Sequence, residues 1–513
     1  MSPAHRRTST WLLMGAAVLL VRAALLPVWP IPQPVIYDEF SYLLQADTFA
    51  HGRLTNPPHP LWQFFESIYI LQQPTYASKY PPGQGLAMAA GQRLAGNAWY
   101  GVWLSCGALA AALCWALQGW LPLRWALLGS VISLDLCLFS YWMNSYWGGA
   151  VAGIGGAMVV GAWARIVRGG QRRQAWIFGI GIVLLLLTRP FEGFLLAAPA
   201  SMALWARLGR SQWQVWLPVA SLLAMGLAWQ GFYDFRVTGR FWRMPYQEYF
   251  AQYESVPPLT ILPVQPNKVF RHFDLEFHDS GWTRKVNREA RSWRLPAIRG
   301  KDLYTTLKTI FGSSTWVLVF AAIFPALLLS RRLRLPVILA GLMAGGSAIE
   351  LVYYSHYAAP FAAVLLILLV EGLRRLNLLA RRKTAGGRKF GKFAVATLCG
   401  GILVLTWTEH ATDIYRHRTP EEIRSVIATR GPIEHDLLER RPGKHVIFVR
   451  YTGTEIPHQE WVYNASDIDG SDVIWAQDMG SQNGRLMSYY PARSFWLFEP
   501  DRDSRHLAPY PQP

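Results

Sequence analysis

The sequence predicts an all-α polytopic membrane bundle of about 11 to 13 transmembrane helices, followed by a small C-terminal α/β domain. Of the 513 residues, 52% are hydrophobic and 16% are charged, whereas a soluble domain has about 45–50% and about 25%, respectively. Long apolar runs recur up to Thr408, and shorter apolar runs bounded by Pro, Gly and Asp follow it. This composition argues against a soluble globular enzyme.

The distribution of charged residues also favours a polytopic membrane protein. Lys and Arg total 50 and Asp and Glu total 32, which gives a net charge of +18. The basic residues lie in short clusters between apolar runs, which is typical of cytoplasmic loops and not of a surface that binds nucleic acid. We interpret Cys106, Cys114, Cys137 and Cys399 as buried packing residues, because they lie inside apolar runs without metal-ligand spacing.

Eleven apolar runs are candidates for transmembrane helices, since a bilayer needs about 20 mostly apolar residues per helix. No small-residue cleavage site follows the first run, so we expect it to be a retained anchor. The runs lie at residues 11–28, 100–117, 125–142, 148–164, 176–187, 191–205, 215–232, 315–329, 337–354, 358–370 and 393–407.

The basic clusters predict the orientation. The N-terminus is basic and therefore cytoplasmic. The later clusters at 165–173, 207–210, 331–334 and 374–392 can all be cytoplasmic if residues 83–94, about 18 Å of helix, do not cross the bilayer. We expect a short or re-entrant element there, with a tilted span through a thinned bilayer as the alternative.

This orientation puts three polar segments outside the inner (plasma) membrane: loops 30–82 and 233–314, and the chain after Thr408. We divide the chain into a membrane domain, 1–408, and an extracytoplasmic domain, 409–513. In the latter, residues 445–451, 472–476 and 494–498 are predicted strands and 420–440 a predicted helix.

An acidic pair follows the first run in Tyr37-Asp38-Glu39-Phe40. Carboxylates near hydrocarbon are costly unless water, cations or a substrate compensates them. Asp38, with Glu39 beside it, is our candidate for a general base that deprotonates an acceptor. The alternative is structural, because an acidic residue stabilises the first turn of a helix.

Lys79 ends the first outer loop, just before Pro81 and Pro82, which set the start of the next helix. Its ammonium group suits a phosphate. The alternative is a lysine that extends to the lipid headgroups.

Polar insertions interrupt two later apolar stretches. In Thr188-Arg189-Pro190-Phe191-Glu192, Arg189 is a candidate to bind phosphate oxygens through its fork of N–H donors, unless it and Glu192 satisfy each other. His356 lies at another predicted outer helix end, where a structural hydrogen bond is the alternative to catalysis. Glu350, deeper in the same predicted helix, needs a partner because an intramembrane carboxylate is costly.

The second outer loop begins with Tyr233-Asp234 and continues through Met244-Pro245-Tyr246. Long loops of this kind are usually functional or disordered. The aromatic content of this one favours an ordered surface that stacks on sugar rings or covers a lipid-fed cavity.

These features resemble the GT-C glycosyltransferases that use polyprenyl-phosphate sugars, which include the protein O-mannosyltransferases and the aminoarabinose transferases. The shared features are the acidic pair after the first helix and the first outer loop that ends in lysine and prolines. Four strings are similar to a bacterial, mannosyltransferase-like branch: Asp38-Glu39-Phe-Ser-Tyr-Leu-Leu, Ala46-Asp-Thr-Phe-Ala-His-Gly52, Thr188-Arg-Pro-Phe-Glu-Gly193 and His356-Tyr-Ala-Ala-Pro360.

The resemblance implies a sugar donor linked to polyprenyl phosphate and an acceptor that is a lipid, a glycan or a protein. It matches Asp38 to the catalytic or acceptor-orienting acid and Lys79 to a lysine that contacts the lipid phosphate, although Tyr80 here separates Lys79 from the prolines. It implies an inverting displacement at the outer membrane surface. It does not decide whether the protein binds a divalent metal, since some members of the family do and others do not.

The alternative function is a transporter or flippase of a lipid-linked or anionic substrate. A transporter concentrates polar residues near the bilayer midplane, often in repeated broken helices. Here the polar residues gather at predicted outer helix ends and no internal repeat is visible, which favours surface chemistry. An inactive, receptor-like relative is a third reading.

Overall fold

The computed structural model describes residues 3–209, 212–380, 387–416, 430–451, 460–503 and 506–510, and these are predominantly helical. In chain order the helices are α1 (Pro3–Ala24), α2 (Tyr37–Ala50), α3 (Pro82–Ala95), α4 (Trp99–Trp120), α5 (Leu123–Leu138), α6 (Ala150–Ile166), α7 (Gln171–Thr188), α8 (Pro190–Leu208), α9 (Trp213–Thr238), α10 (Pro245–Tyr253), α11 (Phe273–Glu276), α12 (Arg284–Ala290), α13 (Leu295–Phe311), α14 (Ser314–Ile323), α15 (Pro325–Leu328), α16 (Arg334–Ile349), α17 (Ala362–Ala380), α18 (Gly387–Arg416), α19 (Arg430–Arg440) and α20 (Asn483–Tyr489).

The long apolar helices confirm the polytopic bundle. Among the described residues, five helices are long and apolar enough to cross a membrane, or six if α13 and α14, which meet at 108°, form one broken span. Three shorter apolar helices lie at Ser9–Ala24, Ala150–Ile166 and Arg173–Thr188. Each of the eleven predicted runs coincides with helix, with ends that differ by several residues. The protein is a multi-pass membrane protein.

Helix α17 forms the centre of the bundle. Every residue from Ala362 to Val370 is at most 2% exposed, and the helix contacts α4, α5, α6, α14 and α16. A helix that is apolar on all sides is expected to be buried on all sides.

Two elements differ from a simple reading of the hydropathy. Residues 83–94 lie in α3, a 14-residue helix of about 21 Å, which is shorter than the bilayer core of about 30 Å. The predicted outer loop 233–314 contains the 17-residue helix α13. Hydropathy misses it because charged residues such as Lys301 and Asp302 lie on its exposed side, while Leu307, Ile310 and Phe311 are buried.

Some predicted features lie wholly or partly outside the described residues. These are residues 210 and 381–386, within two of the basic clusters, and residues 420–429, the first half of the predicted helix 420–440. The second half of that helix is present as α19.

The outer segments carry six short strands: β1 (Ile70–Leu71), β2 (Ala77–Ser78), β3 (His445–Val449), β4 (Val473–Gln477), β5 (Ser494–Phe498) and β6 (Leu507–Pro509). The first two form an antiparallel hairpin in the first outer loop. The others form one sheet in the order β4-β3-β5-β6, in which β3 is parallel to β4 and β5. The three strands predicted after residue 440 are thus confirmed.

The C-terminal sheet shares a hydrophobic core with the first outer loop. On one face, Val446 and Phe448 pack with Phe64, Phe65 and Tyr76 of that loop. The other face packs against α19 and a cluster of tryptophans and Phe498. The C-terminal segment is therefore built onto the loop that carries Asp38 and Lys79 near its two ends.

Candidate functional site

A cavity of about 410 Å³ opens where the outer loops meet the helix ends. Its lining comes from five separate segments of the chain. The polar and aromatic lining residues are Asp38, Tyr42, Tyr69, Lys79, Tyr80, Thr188, Arg189, Phe191, Glu192, Tyr246, Gln247, Glu254, His278, Trp282, Thr283, Glu350, Tyr354 and Tyr357. The eight candidate residues from the sequence are Tyr37, Asp38, Glu39, Lys79, Arg189, Glu192, Asp234 and His356. Of these, the lining includes Asp38, Lys79, Arg189 and Glu192.

Asp38 lies in the first turn of α2, partly exposed to the cavity. The Tyr80 hydroxyl donates a hydrogen bond to Asp38 Oδ1. Burial raises the pKa of the Asp38 carboxyl, while the hydrogen bond from Tyr80 and the charges of Lys79 and Arg189 oppose that rise. A carboxylate with a raised pKa is a stronger base than an ordinary aspartate.

Lys79 is held by the β1–β2 hairpin. Its backbone N–H donates to the Tyr69 carbonyl at 3.2 Å, and its side chain is 3% exposed. The ammonium nitrogen lies 3.0 Å from Glu254 Oε1 and 3.2 Å from the centroid of the Tyr69 ring. Burial lowers the pKa of Lys79, and the charges of Glu254 and Asp38 oppose that fall.

Arg189 occupies the break between α7 and α8. Pro190 starts α8 and cannot donate the backbone hydrogen bond that would continue α7. The guanidinium lies 4.1 Å from the centroid of the Tyr357 ring, and Nη1 is 3.5 Å from Glu192 Oε1. A guanidinium has five N–H donors, so one long ion pair leaves it with donor capacity on the cavity side.

Glu39 is directed away from the cavity, so the structure favours the helix-capping alternative for this residue. Its carboxylate accepts backbone N–H groups of Val35 at 2.8 Å, Ile36 at 3.3 Å and Tyr146 at 3.0 Å. Neighbouring residues of a helix point about 100° apart, which separates Glu39 from Asp38. The hydrogen bonds from Val35 and Ile36 to the Glu39 carboxylate fix the start of α2.

Three further candidates are also absent from the lining. Tyr37 packs behind it, edge-on to the rings of Tyr69 and His278. Asp234 is buried in α9 and accepts a hydrogen bond from Gln230 at 2.8 Å. His356 pairs through Nδ1 with the Tyr141 hydroxyl at 2.8 Å, which is the structural alternative for a buried histidine.

Two further acidic residues line the cavity: Glu254, which the sequence did not single out, and Glu350, which the sequence predicts to lie inside a helix. Glu254 comes from the second outer loop, where nothing in the hydropathy distinguishes one acid from another. Glu350 is not inside a helix: α16 ends at Ile349, and Glu350 takes an extended conformation that pairs with Leu259. The aromatic signal was informative, since Tyr246 and Trp282 of the loop line the cavity.

Within the part of the chain that the structure describes, no three His, Cys, Asp or Glu side chains are grouped as ligands of a metal ion.

Comparison with solved structures identifies the architecture. ArnT from Cupriavidus metallidurans, a GT-C glycosyltransferase, matches in its form bound to undecaprenyl phosphate with a TM-score of 0.50 and 14% identity, over 88% of this chain and 84% of ArnT. The apo form of ArnT matches with a TM-score of 0.51 and 13% identity, over 96% and 94%. The chain has the GT-C fold.

Other comparisons are weaker. The oligosaccharyltransferase of Archaeoglobus fulgidus, tethered to an acceptor peptide, matches with a TM-score of 0.44 and 11% identity, over 85% of this chain and 62% of that one. No protein-family model and no curated protein sequence matches this chain.

Proposed function

We propose that this GT-C protein is a glycosyltransferase that moves a sugar from a polyprenyl-phosphate donor to an acceptor at the non-cytoplasmic membrane surface. The observation that carries the proposal is that Asp38, Lys79 and Arg189, from three separate segments, line one cavity. Transfer from a sugar phosphate needs a base that deprotonates the acceptor and cations that stabilise the departing phosphate, and this cavity contains both.

In this proposal Arg189 is the principal group for the donor phosphate. It has N–H donors beyond the single 3.5 Å contact with Glu192, and its guanidinium can hold two phosphate oxygens at once. Lys79 is already paired with Glu254 at 3.0 Å. As a second cation in the cavity lining, it contributes positive charge near the donor phosphate.

Asp38 is the proposed base. As the acceptor oxygen or nitrogen forms a bond to the anomeric carbon, the bond from that carbon to the phosphate oxygen breaks. The bonding electrons leave with the phosphate, next to Arg189, and the acceptor proton passes to Asp38. The Tyr80 hydroxyl holds the carboxylate in place through its hydrogen bond to Oδ1.

The positions of the charged groups support surface chemistry over transport. Asp38 is at the start of α2, Arg189 lies between α7 and α8, and Glu350 directly follows α16. All three are at helix ends near the outer loops, whereas a transporter binds its substrate near the bilayer midplane.

The test uses the full chain in lipid nanodiscs with polyprenyl-phosphate sugars and a membrane-lipid and glycan extract as acceptor. Mass spectrometry measures glycosylated product and released polyprenyl phosphate. Asp38→Asn should lower turnover by about 10²- to 10⁴-fold, as loss of a general base does, with unchanged insertion in the membrane.

Glu248→Gln is the matched control, because Glu248 pairs with Arg243 at 2.6 Å outside the cavity. It should retain wild-type turnover. Undiminished transfer by Asp38→Asn removes Asp38 from the mechanism, and vesicle transport without glycoside formation contradicts the proposal as a whole.

A further inference from the structure

Two glutamates that the proposed mechanism does not use, Glu192 and Glu350, also line the cavity. Glu350 is 6% exposed and is one of the residues that line the cavity. Among the described residues, its Oε1 atom has no hydrogen-bond partner. A buried polar atom without a partner is costly, so this oxygen indicates an interaction that a ligand completes.

The backbone holds Glu350 in this position. Glu350 pairs with Leu259 across an antiparallel bridge. On either side, Thr260 N–H donates to the Ile349 carbonyl at 2.7 Å and Leu351 N–H donates to the Pro258 carbonyl at 2.8 Å. The carboxylate is therefore presented by a fixed segment, which is what a binding residue needs.

Close packing of α16 on α8 brings the two acids together. A Cβ atom on Gly346 would lie 2.5 Å from Leu195 Cδ1, so the helices approach at a glycine one turn before Glu350. Burial raises the pKa of the Glu350 carboxyl, the charge of Glu192 adds to that rise, and the charges of Arg189 and Arg299 oppose it.

The two cations of the cavity lining pair with carboxylates other than Glu350. Lys79 is paired with Glu254 at 3.0 Å and Arg189 with Glu192 at 3.5 Å. Arg299, the other cation near Glu350, contacts Asp302 at 2.9 Å and the backbone carbonyl of Glu350. These pairings leave Glu350 Oε1 to accept a hydrogen bond from outside the protein.

We infer that Glu350 determines sugar specificity by accepting a hydrogen bond from a hydroxyl or amino group of the donor sugar. The inference rests on the proposed function. Asp38, Arg189 and Glu350 line the same cavity. A phosphate bound at Arg189 thus leaves its sugar between the base and this carboxylate.

The test measures binding of three probes to the full chain in nanodiscs: undecaprenyl phosphate, undecaprenyl-phosphate glucose and undecaprenyl-phosphate glucosamine. Glu350→Leu removes the acceptor with little change in shape. It should weaken both sugar-bearing lipids by about 3- to 10-fold, the net value of one hydrogen bond, and leave undecaprenyl phosphate within about twofold.

Glu350→Gln keeps an acceptor oxygen and removes the charge. If the contact is to a hydroxyl, Gln should retain most of the affinity for the glucose lipid. If the contact is to an ammonium group, Gln should weaken the glucosamine lipid as much as Leu does. Glu248→Gln is again the control, and thermal unfolding checks that each variant is folded.

The outcomes separate the two proposals. Failure of wild-type protein to bind undecaprenyl phosphate contradicts the proposed function. Binding of that lipid, with no added affinity from either sugar or with the added affinity intact in Glu350→Leu, overturns the role of Glu350 and leaves the glycosyltransferase proposal standing.

Discussion

At the residue scale, the charges of the cavity act in pairs. Lys79 with Glu254 and Arg189 with Glu192 are opposite charges in contact, and both lysine and glutamate of the first pair are buried. Two unpaired cations would be strongly disfavoured in such an environment. The paired carboxylates therefore stabilise the charged forms of Lys79 and Arg189 in the cavity before a substrate phosphate binds.

The Lys79–Glu254 pair gives a stability prediction. Glu254→Leu leaves a buried ammonium group without its partner, and such a change costs about 3–5 kcal/mol. Lys79→Met combined with Glu254→Leu removes both charges and should recover most of that loss. Thermal unfolding of the single and double variants measures it, and a double variant less stable than Glu254→Leu would show that the pair is not the reason.

Adjacent residues can have quite different roles. The sequence favours Asp38 as the base, with Glu39 beside it as a further candidate, but only Asp38 reaches the cavity, whereas Glu39 accepts three backbone N–H groups. The direction of each side chain depends on where α2 begins and on Tyr146, which is more than a hundred residues away. Local sequence does not contain that information.

At the scale of elements, helix ends position the cations. The break at Pro190 creates the turn that carries Arg189, and the hairpin before α3 carries Lys79. These positions could be predicted from sequence because a charge between apolar runs is conspicuous. Glu254 could not, since it lies in a polar loop with many charges and is selected only by tertiary contacts.

Contact between α3 and α7 at Gly83 keeps Lys79 and Arg189 near one cavity. A Cβ atom at Gly83 would lie 2.4 Å from Thr188 Cγ2 and 2.8 Å from the Leu187 carbonyl oxygen. Gly83→Ala should therefore separate the two helices, lower the free energy of unfolding by about 1–3 kcal/mol and weaken binding of undecaprenyl phosphate.

Gly345→Ala is the matched control for this change. It lies in α16, and a Cβ atom there meets nothing within 4 Å. The added methyl group should stabilise the protein by up to about 1 kcal/mol. Calorimetry and lipid binding measure both variants, and equal behaviour of the two would refute the role of Gly83.

At the scale of the whole molecule, the C-terminal segment covers the first outer loop. Glu460 accepts the backbone N–H of Ile68 at 3.3 Å, and Gln477 donates to the Glu66 carbonyl at 3.1 Å and to Asp274 at 2.8 Å. The sheet, the first loop and the second loop therefore meet in one polar layer. Hydropathy predicts the strands of this segment but not the surface on which they pack.

The titratable groups of that polar layer predict that the folded protein loses stability as the pH rises. Burial and then the charge of Asp274 raise the pKa of Glu460 to about 8 from 4.5. Burial also raises the pKa of Asp274. Burial lowers the pKa of His272, but hydrogen bonding to Glu66 and the charges of Asp274 and Glu66 raise it overall. Each of these groups binds protons more tightly in the folded state.

Stability is therefore highest in acid and falls as the pH rises through the window from 4.5 to about 8 for Glu460. Thermal unfolding at a series of pH values should show this decline. Glu460→Gln, which cannot ionise, should flatten it. A melting temperature that rises with pH across this window would contradict the assignment.

The central claim is that the cavity holds a polyprenyl phosphate between Arg189 and Asp38. The most direct measurement is an experimental structure of the full chain in nanodiscs with undecaprenyl phosphate. We predict phosphate oxygens about 2.7–2.9 Å from the Arg189 guanidinium, with the open side of the phosphate facing Asp38. A phosphate bound outside this cavity, or one that Asp38 cannot face, would contradict the account.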